Sequence, residues 1–206
     1  MSRTTTQTKV SHDIFCTLNH ASILTVNSRL CRISSPFGIL LLTHKQRKEL
    51  DMILGGGSVI YCRADRSCTL ATPNSLSFPN GLVRGHDGLI YVPFSAATYI
   101  GVYRLTEDGA LKEITRIEIG MPLDNLSVDS SGDIWAAGIP RMLELVEAIT
   151  EPFHKTTPSA IFKISKTKDN EYEVERVLAD GDGEVIGGAT TAIFDRPTNR
   201  LFIGGM

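Results

Sequence analysis

From Ser58 onward, apolar residues gather in short runs, each bounded by turn formers such as Gly, Asp and Asn. Runs of that length and spacing predict short antiparallel strands. "SVIYC" (58–62) and "SCTLAT" (67–72) make the first pair, across the polar turn Arg63-Ala64-Asp65-Arg66. "NGLVRG" (80–85) follows, and the turn His86-Asp87-Gly88 leads into an alternating strand, "LIYVPFS" (89–95). Next come "YIGVYRL" (99–105), the turn Glu107-Asp108-Gly109 and "KEITRIEI" (112–119). A second round opens at Asp124-Asn125. It runs through "NLSVD" (125–129), the turn Ser130-Ser131-Gly132, "DIWAAG" (133–138), "SAIFKIS" (159–165) and "YEVERVLAD" (172–180). A third round begins with "ATTAIFD" (189–195) and "RLFIGG" (200–205).

Four short strands recurring at roughly 40–50 residues are the signature of a β-propeller blade. An ordinary β-sandwich would not require the same order to recur: polar residue, strand, Gly turn, strand with an aromatic. The sequence therefore predicts an all-β chain. The expected form is an incomplete β-propeller of about two full four-stranded blades plus partial blades, with one inserted helix. That helix is expected within "PRMLELVEAITEPFHKTTP" (140–158), with Pro140 at its first turn. Met142, Leu145, Val146 and Ile149 fall on one helical stripe. Two roles stay open for it: a surface helix packed on the propeller, or a cover over the central mouth. An earlier helix is expected over Thr43–Leu54, where Thr43 and Gln46 have capping-box spacing and Gly55-Gly56-Gly57 provides a stop. Residues 1–35 show no sustained period and are rich in Ser and Thr. They are expected to stand apart as a poorly ordered or non-native segment, with residues 36–206 forming the propeller domain.

Composition changes this picture little. The chain has 206 residues, 42% hydrophobic and 21% charged, with a formal net charge of −2. That balance gives no argument for a nucleic-acid partner or an anionic membrane surface. No apolar run is long enough to span a bilayer, and none reads as a signal peptide, so the compartment is left open. None of the four cysteines has zinc-ligand spacing. Cys62 and Cys68 flank the first hairpin turn; they are expected as two independent thiols, with pairing the alternative in an oxidising compartment.

The segments "LGGGSVIYC", "SFPNGLVRGHDGLIYV", "PLDNLSVDSSGDIWAAG" and "EVIGGATTAIFD…RLFIGG" resemble the paraoxonase/arylesterase family of calcium-dependent six-bladed propellers, its fungal members most. They also share features with the senescence-marker-protein and gluconolactonase group. The resemblance covers residues 55–205. It implies that Asn80, Asp124 and Asn125 contribute to a calcium site where the first strands of neighbouring blades converge. Hard oxygen donors of that kind suit calcium. Asp124 and Asn125 are adjacent, and successive side chains of an ideal strand point to opposite faces. Both serve one site only if the backbone bends at the strand mouth. The resemblance further implies that Phe78 walls the site and Thr190 lines a substrate pocket.

The implied activity is calcium-dependent hydrolysis of carboxylic esters or lactones, with a small-molecule substrate. Two parts of the family's machinery fall outside the matching motifs: an early Glu and a further Asn among the ligands, and the catalytic histidines. None of His12, His20, His44, His86 and His154 sits in a matching motif, so no general base is assigned. Three donors with one formal charge make a weak calcium site. The expectation is thus a C-terminal part of a hydrolase, a truncated product with little activity of its own. The alternative is a non-catalytic binding module that associates with itself through unpaired sheet edges.

Overall fold

The computed structural model describes residues 14–18, 25–26, 29–30 and 56–205, except 64–66, 73–75 and 152–153. The helix expected over 43–54 lies outside them. The strands are β1 (Ile14–Leu18), β2 (Thr25–Val26), β3 (Arg29–Leu30), β4 (Ser58–Cys62), β5 (Cys68–Leu70), β6 (Val83–Arg84), β7 (Ile90–Pro93), β8 (Tyr99–Leu105) and β9 (Leu111–Glu118). They continue as β10 (Leu123–Val128), β11 (Ile134–Gly138), β12 (Ser159–Lys166), β13 (Tyr172–Asp180), β14 (Ala189–Asp195) and β15 (Arg200–Gly205). The helix α1 (Met142–Thr150) lies between β11 and β12.

Two sheets are complete four-stranded meanders, β6-β7-β8-β9 and β10-β11-β12-β13. Smaller sheets flank them: β1-β4-β5 before, and β14-β15 after. All pairing within them is antiparallel. Each turn from a first to a second strand tightens on a glycine in the left-handed region, Gly88 (φ 78°) and Gly132 (φ 89°), where a Cβ is disfavoured.

The sheets stack face to face around successive cores. Val59, Tyr61 and Ala71 of the β1-β4-β5 unit pack against Ile90, Val92, Phe94 and Tyr103. On the other face of that second sheet, Tyr91, Ile100, Val102 and Ile117 meet Leu123, Leu126, Ile134 and Phe162. Trp135, Ala137 and Ile161 then meet Ala189 and Ala192. β10 lies against β6 and β7 on one side and against β14 on the other. Sheets that share faces with both neighbours, their first strands adjoining, make an incomplete β-propeller.

This stacking explains a departure from the expected alternation. Every residue of β7 and of β11 is buried, because each of these strands has a sheet on both sides. The expected helical stripe is also adjusted. Ala148 is the buried residue of α1, whereas Ile149 is 55% exposed. The cysteine expectation is corrected: Cys62 and Cys68 are joined in a disulfide. They face each other in the β4–β5 register with Cα atoms 4.1 Å apart, so the hairpin itself brings the sulfurs together. Residues 1–35 do not stand wholly apart from the sheets either, since Ile14–Leu18 pairs along the whole of β4.

Candidate functional site

Asn80 lies just before β6, held by main-chain bonds to the end of β7. Its N–H donates to Pro93 O (3.0 Å), and Pro79 bridges Phe94. The Asn80 side chain spans two directions. Oδ1 accepts from Gly81 N–H at 2.9 Å, and Nδ2 donates to Ser95 Oγ at 3.1 Å. Phe78, two residues earlier, has φ 57°, uncommon for a side chain of its bulk. Its carbonyl accepts from Ser95 N–H (3.0 Å).

Asp124 and Asn125 stand at the mouth of β10. Pairing with β11 shifts register between Leu123 and Leu126, so the backbone bends at this point. The bend brings the two adjacent side chains together: Asn125 Nδ2 donates to Asp124 Oδ1 at 3.1 Å. Asn125 Nδ2 also donates to Thr190 O in β14 at 2.8 Å. The neighbouring sheets close on the same spot. Leu126 N–H donates to Gly81 O (3.0 Å), and the Asn80 side chain stands close enough to the Asp124 carboxyl to favour its ionised form.

Asn80, Asp124 and Asn125 therefore form one cluster, drawn from two sheets and braced by a third. Burial pushes the Asp124 carboxyl up to about 6, only partly offset by the Asn80 amide. Its partners are neutral amides, which do not compensate a buried negative charge. A hard divalent cation would. By residue type, one carboxylate and two amides match part of a calcium shell, which takes 6–8 oxygen ligands, although here the Asn125 amide turns its nitrogen to the carboxyl. Among the described residues no three His, Cys, Asp or Glu side chains gather as a metal group; this cluster draws mainly on amides instead.

Thr190 joins the cluster through its carbonyl, while its hydroxyl donates to Gly204 O at 3.3 Å. A cleft of about 260 Å³ opens beside it, lined by Val185, Ile186, Gly187, Ala189, Ile203 and Gly205. None of the five candidate residues lines that cleft. His86 is exposed in the turn at the far end of β6. His154 is exposed in the connection after α1. His12, His20 and His44 lie outside the described residues. Two contributors carry no sequence signal: Ser95, whose link to Asn80 spans fifteen residues, and Gly81, whose missing side chain makes room for Asn125.

The arylesterase family model matches residues 4–206. The chain belongs to the arylesterase family. The match takes in the first 35 residues almost entirely, further than the motifs alone reach. Solved structures similar to it include one assigned provisionally as a gluconolactonase (18% identity, TM-score 0.47, 73% of this chain and 43% of the other). Others are a virginiamycin B lyase from Staphylococcus aureus (18%, 0.46, 72% and 42%) and a gluconolactonase from Xanthomonas campestris (22%, 0.43, 73% and 42%). The chain thus spans less than half the length of each. At these identities and scores the likenesses decide nothing about activity. No curated protein matches the chain.

Proposed function

We propose that this chain carries part of the calcium centre of a carboxylic ester or lactone hydrolase, as a portion of a longer enzyme. The observation that carries this reading is the half-buried Asp124 carboxyl, placed beside the Asn80 and Asn125 amides where two sheets converge. Family membership supports the ester or lactone substrate class.

A calcium ion, when bound, supplies Lewis-acid polarisation of a substrate carbonyl. Asp124 provides the negative charge that holds such an ion. Asn80 and Asn125 provide neutral oxygens, and the Thr190 carbonyl fixes the Asn125 amide. Phe78 places an aromatic side chain two residues from Asn80, on the substrate side in this reading. No described histidine contacts the cluster, so the general base and the remaining ligands are assigned outside these residues.

Thermal melting with calcium tests the reading. Millimolar calcium is expected to raise the melting temperature of the protein, and Asp124→Ala to abolish the rise. Equal shifts in both proteins would remove Asp124 from the centre. Phenyl acetate hydrolysis by the chain alone is expected to be weak, because three donors leave most of a calcium shell unfilled.

A second reading, self-association through an open sheet edge, is favoured by one observation. Ile193 and Phe202 pair across β14–β15, yet are 54% and 56% exposed.

A further inference from the structure

We infer that the open edge of β15 takes the β4–β5 hairpin of a second copy, so that two chains close one ring. The inference rests on the self-association reading above and adds to it the strand that docks, the stoichiometry and the symmetry.

Each strand takes its place in a blade from its neighbours. First strands adjoin first strands: β10 lies against β6, and β14 against β10, where Ser127 Oγ donates to Ala192 O at 2.6 Å. β14 and β15 are therefore the first and second strands of a blade. β4 and β5 fill the other two places. Their turn meets the β8–β9 turn, where Arg63 Nη2 donates to Glu107 O at 3.2 Å. Leu111 N–H of β9 donates to Ala71 O, just past β5, at 2.8 Å. β4 and β5 thus stand beside a third and a fourth strand. Two complete blades lie between these half-blades, and the halves are complementary. Direction fits as well. Second strands run toward the mouth and third strands away from it, so β15 meets β4 antiparallel, as β7 meets β8 and β11 meets β12.

Both edges are built for this joint. Alternate N–H and C=O groups of β15 point away from β14, and no described strand takes them. On β4 the edge away from β5 is covered by β1, drawn from far upstream. β1 stands where a second strand belongs, and β15 of the other copy replaces it. The faces agree with the edges. Ala192 meets the preceding blade; Ile193, the next residue, points to the opposite face, with Phe202 beside it. A following blade belongs on that face, as on every earlier blade. Closure sets the number of copies. Propellers close with roughly four to eight blades. One chain holds the content of three blades, so one copy is too few, three are too many, and two make six. A twofold axis makes both joints identical and leaves no edge for a third copy.

Light scattering of the chain across a concentration series tests the stoichiometry, and photo-cross-linking tests the joint. The mass is expected to level off at two chains. With p-benzoylphenylalanine in place of Phe202, in a mixture of ¹⁴N- and ¹⁵N-labelled chains, cross-links between differently labelled copies are expected on β4 or on β7, which faces it. Cys16 pairs with Ile60 in the β1–β4 ladder, and Cys16→Pro weakens that ladder. It is expected to lower the concentration of half-dimerisation about 5-fold for each joint, the worth of one hydrogen bond. A constant monomer mass overturns both the inference and the self-association reading. Masses that grow past two chains, or cross-links from β15 to β15, overturn the inference and leave self-association standing. An unchanged or weaker dimer in Cys16→Pro also overturns it, because β1 then does not hold the docking edge. Should that variant fail to fold, the cross-linked positions decide.

Discussion

The amide oxygen of Asn125 occupies the space beside Gly81 that a Cβ on that residue would need. Two sheets meet there without a side chain between them. Asn125 cannot retreat freely, because its Nδ2 is engaged by both Asp124 and Thr190 O. Gly81→Ala is therefore expected to displace the amide and break at least one of those bonds. Overpacking of this kind costs about 1–3 kcal/mol, read as a lower urea midpoint. The calcium-dependent melting shift should shrink as well. An unchanged midpoint together with an unchanged shift would show that the sheets absorb the methyl group elsewhere.

Asp124→Asn separates charge from shape. The carboxyl is pushed up to about 6 by burial, so holding it ionised at neutral pH works against the cation-free fold. An amide of the same size carries no such charge. Without calcium the variant is expected to melt at or above the wild-type temperature. With calcium the wild type should gain and the variant should not. A variant that melts well below the wild type without calcium would mean that the negative charge itself stabilises the fold.

The strand rhythm was legible because each first-to-second-strand turn carries its own glycine and each second strand its aromatic, Tyr91 or Trp135. Several predicted bounds, including Tyr99–Leu105 and Tyr172–Asp180, coincide with the strands found. That Asn80 and Asp124 belong together was implied by the family resemblance; their recurrence at the mouths of first strands does not by itself distinguish a shared site from two ordinary turn residues. Burial of β7 on both faces was not legible. Nothing in "IYVP" says that a second sheet will cover the face an open sheet would leave to water. Ser95 was equally silent, because its role depends on a contact between two turns of different strands. The disulfide was not legible either, because six-residue spacing alone does not state the register; the β4–β5 pairing does.

Asp87 gives a pH dependence with a definite sign. It sits in the β6–β7 turn and accepts from Lys166 Nζ (2.8 Å) and Tyr91 Oη (2.9 Å), with Leu89 N–H at 3.1 Å. Desolvation pushes its carboxyl up, but Lys166, the Leu89 N–H and Tyr91 together hold it below the usual value. A depressed folded-state value means that stability is present above the unfolded pKa, near 3.9, and is lost as pH falls through the folded one. Lys166 belongs to the next sheet, so the contact latches two blades. Asp87→Ala is expected to lower stability at pH 6 by on the order of 1 kcal/mol. The gap should narrow as pH falls below the unfolded value and on through the folded one. A gap independent of pH would assign the loss to packing.

The Cys62–Cys68 bond closes a short hairpin loop. Cross-linking so short a loop removes about 2 kcal/mol of unfolded-state entropy. A reductant is expected to lower the melting temperature of the wild type and to leave a Cys62→Ser/Cys68→Ser double variant unmoved. The same fall in both proteins would show that the reductant acts elsewhere.

The open edge of β15 differs from the finished edges of the complete sheets. β9 and β13 end their blades with Lys112, Glu113, Arg116, Glu173, Glu175 and Arg176 all exposed, and charges of that kind discourage edge pairing. After Arg200, β15 reads Leu201-Phe202-Ile203-Gly204-Gly205 with no charge. It is the second strand of its unit, the place that β7 and β11 fill, and both of those are buried. It thus has the composition of an interior strand without a described strand on its far side. Phe202→Lys places a charge on this surface without removing a core contact. Light scattering of the wild type is expected to show mass rising with concentration. The variant should stay monomeric, while Val174→Lys, on the charged edge strand β13, should behave as the wild type. A wild type of constant monomer mass across that range would mean that the β15 edge does not recruit a second copy.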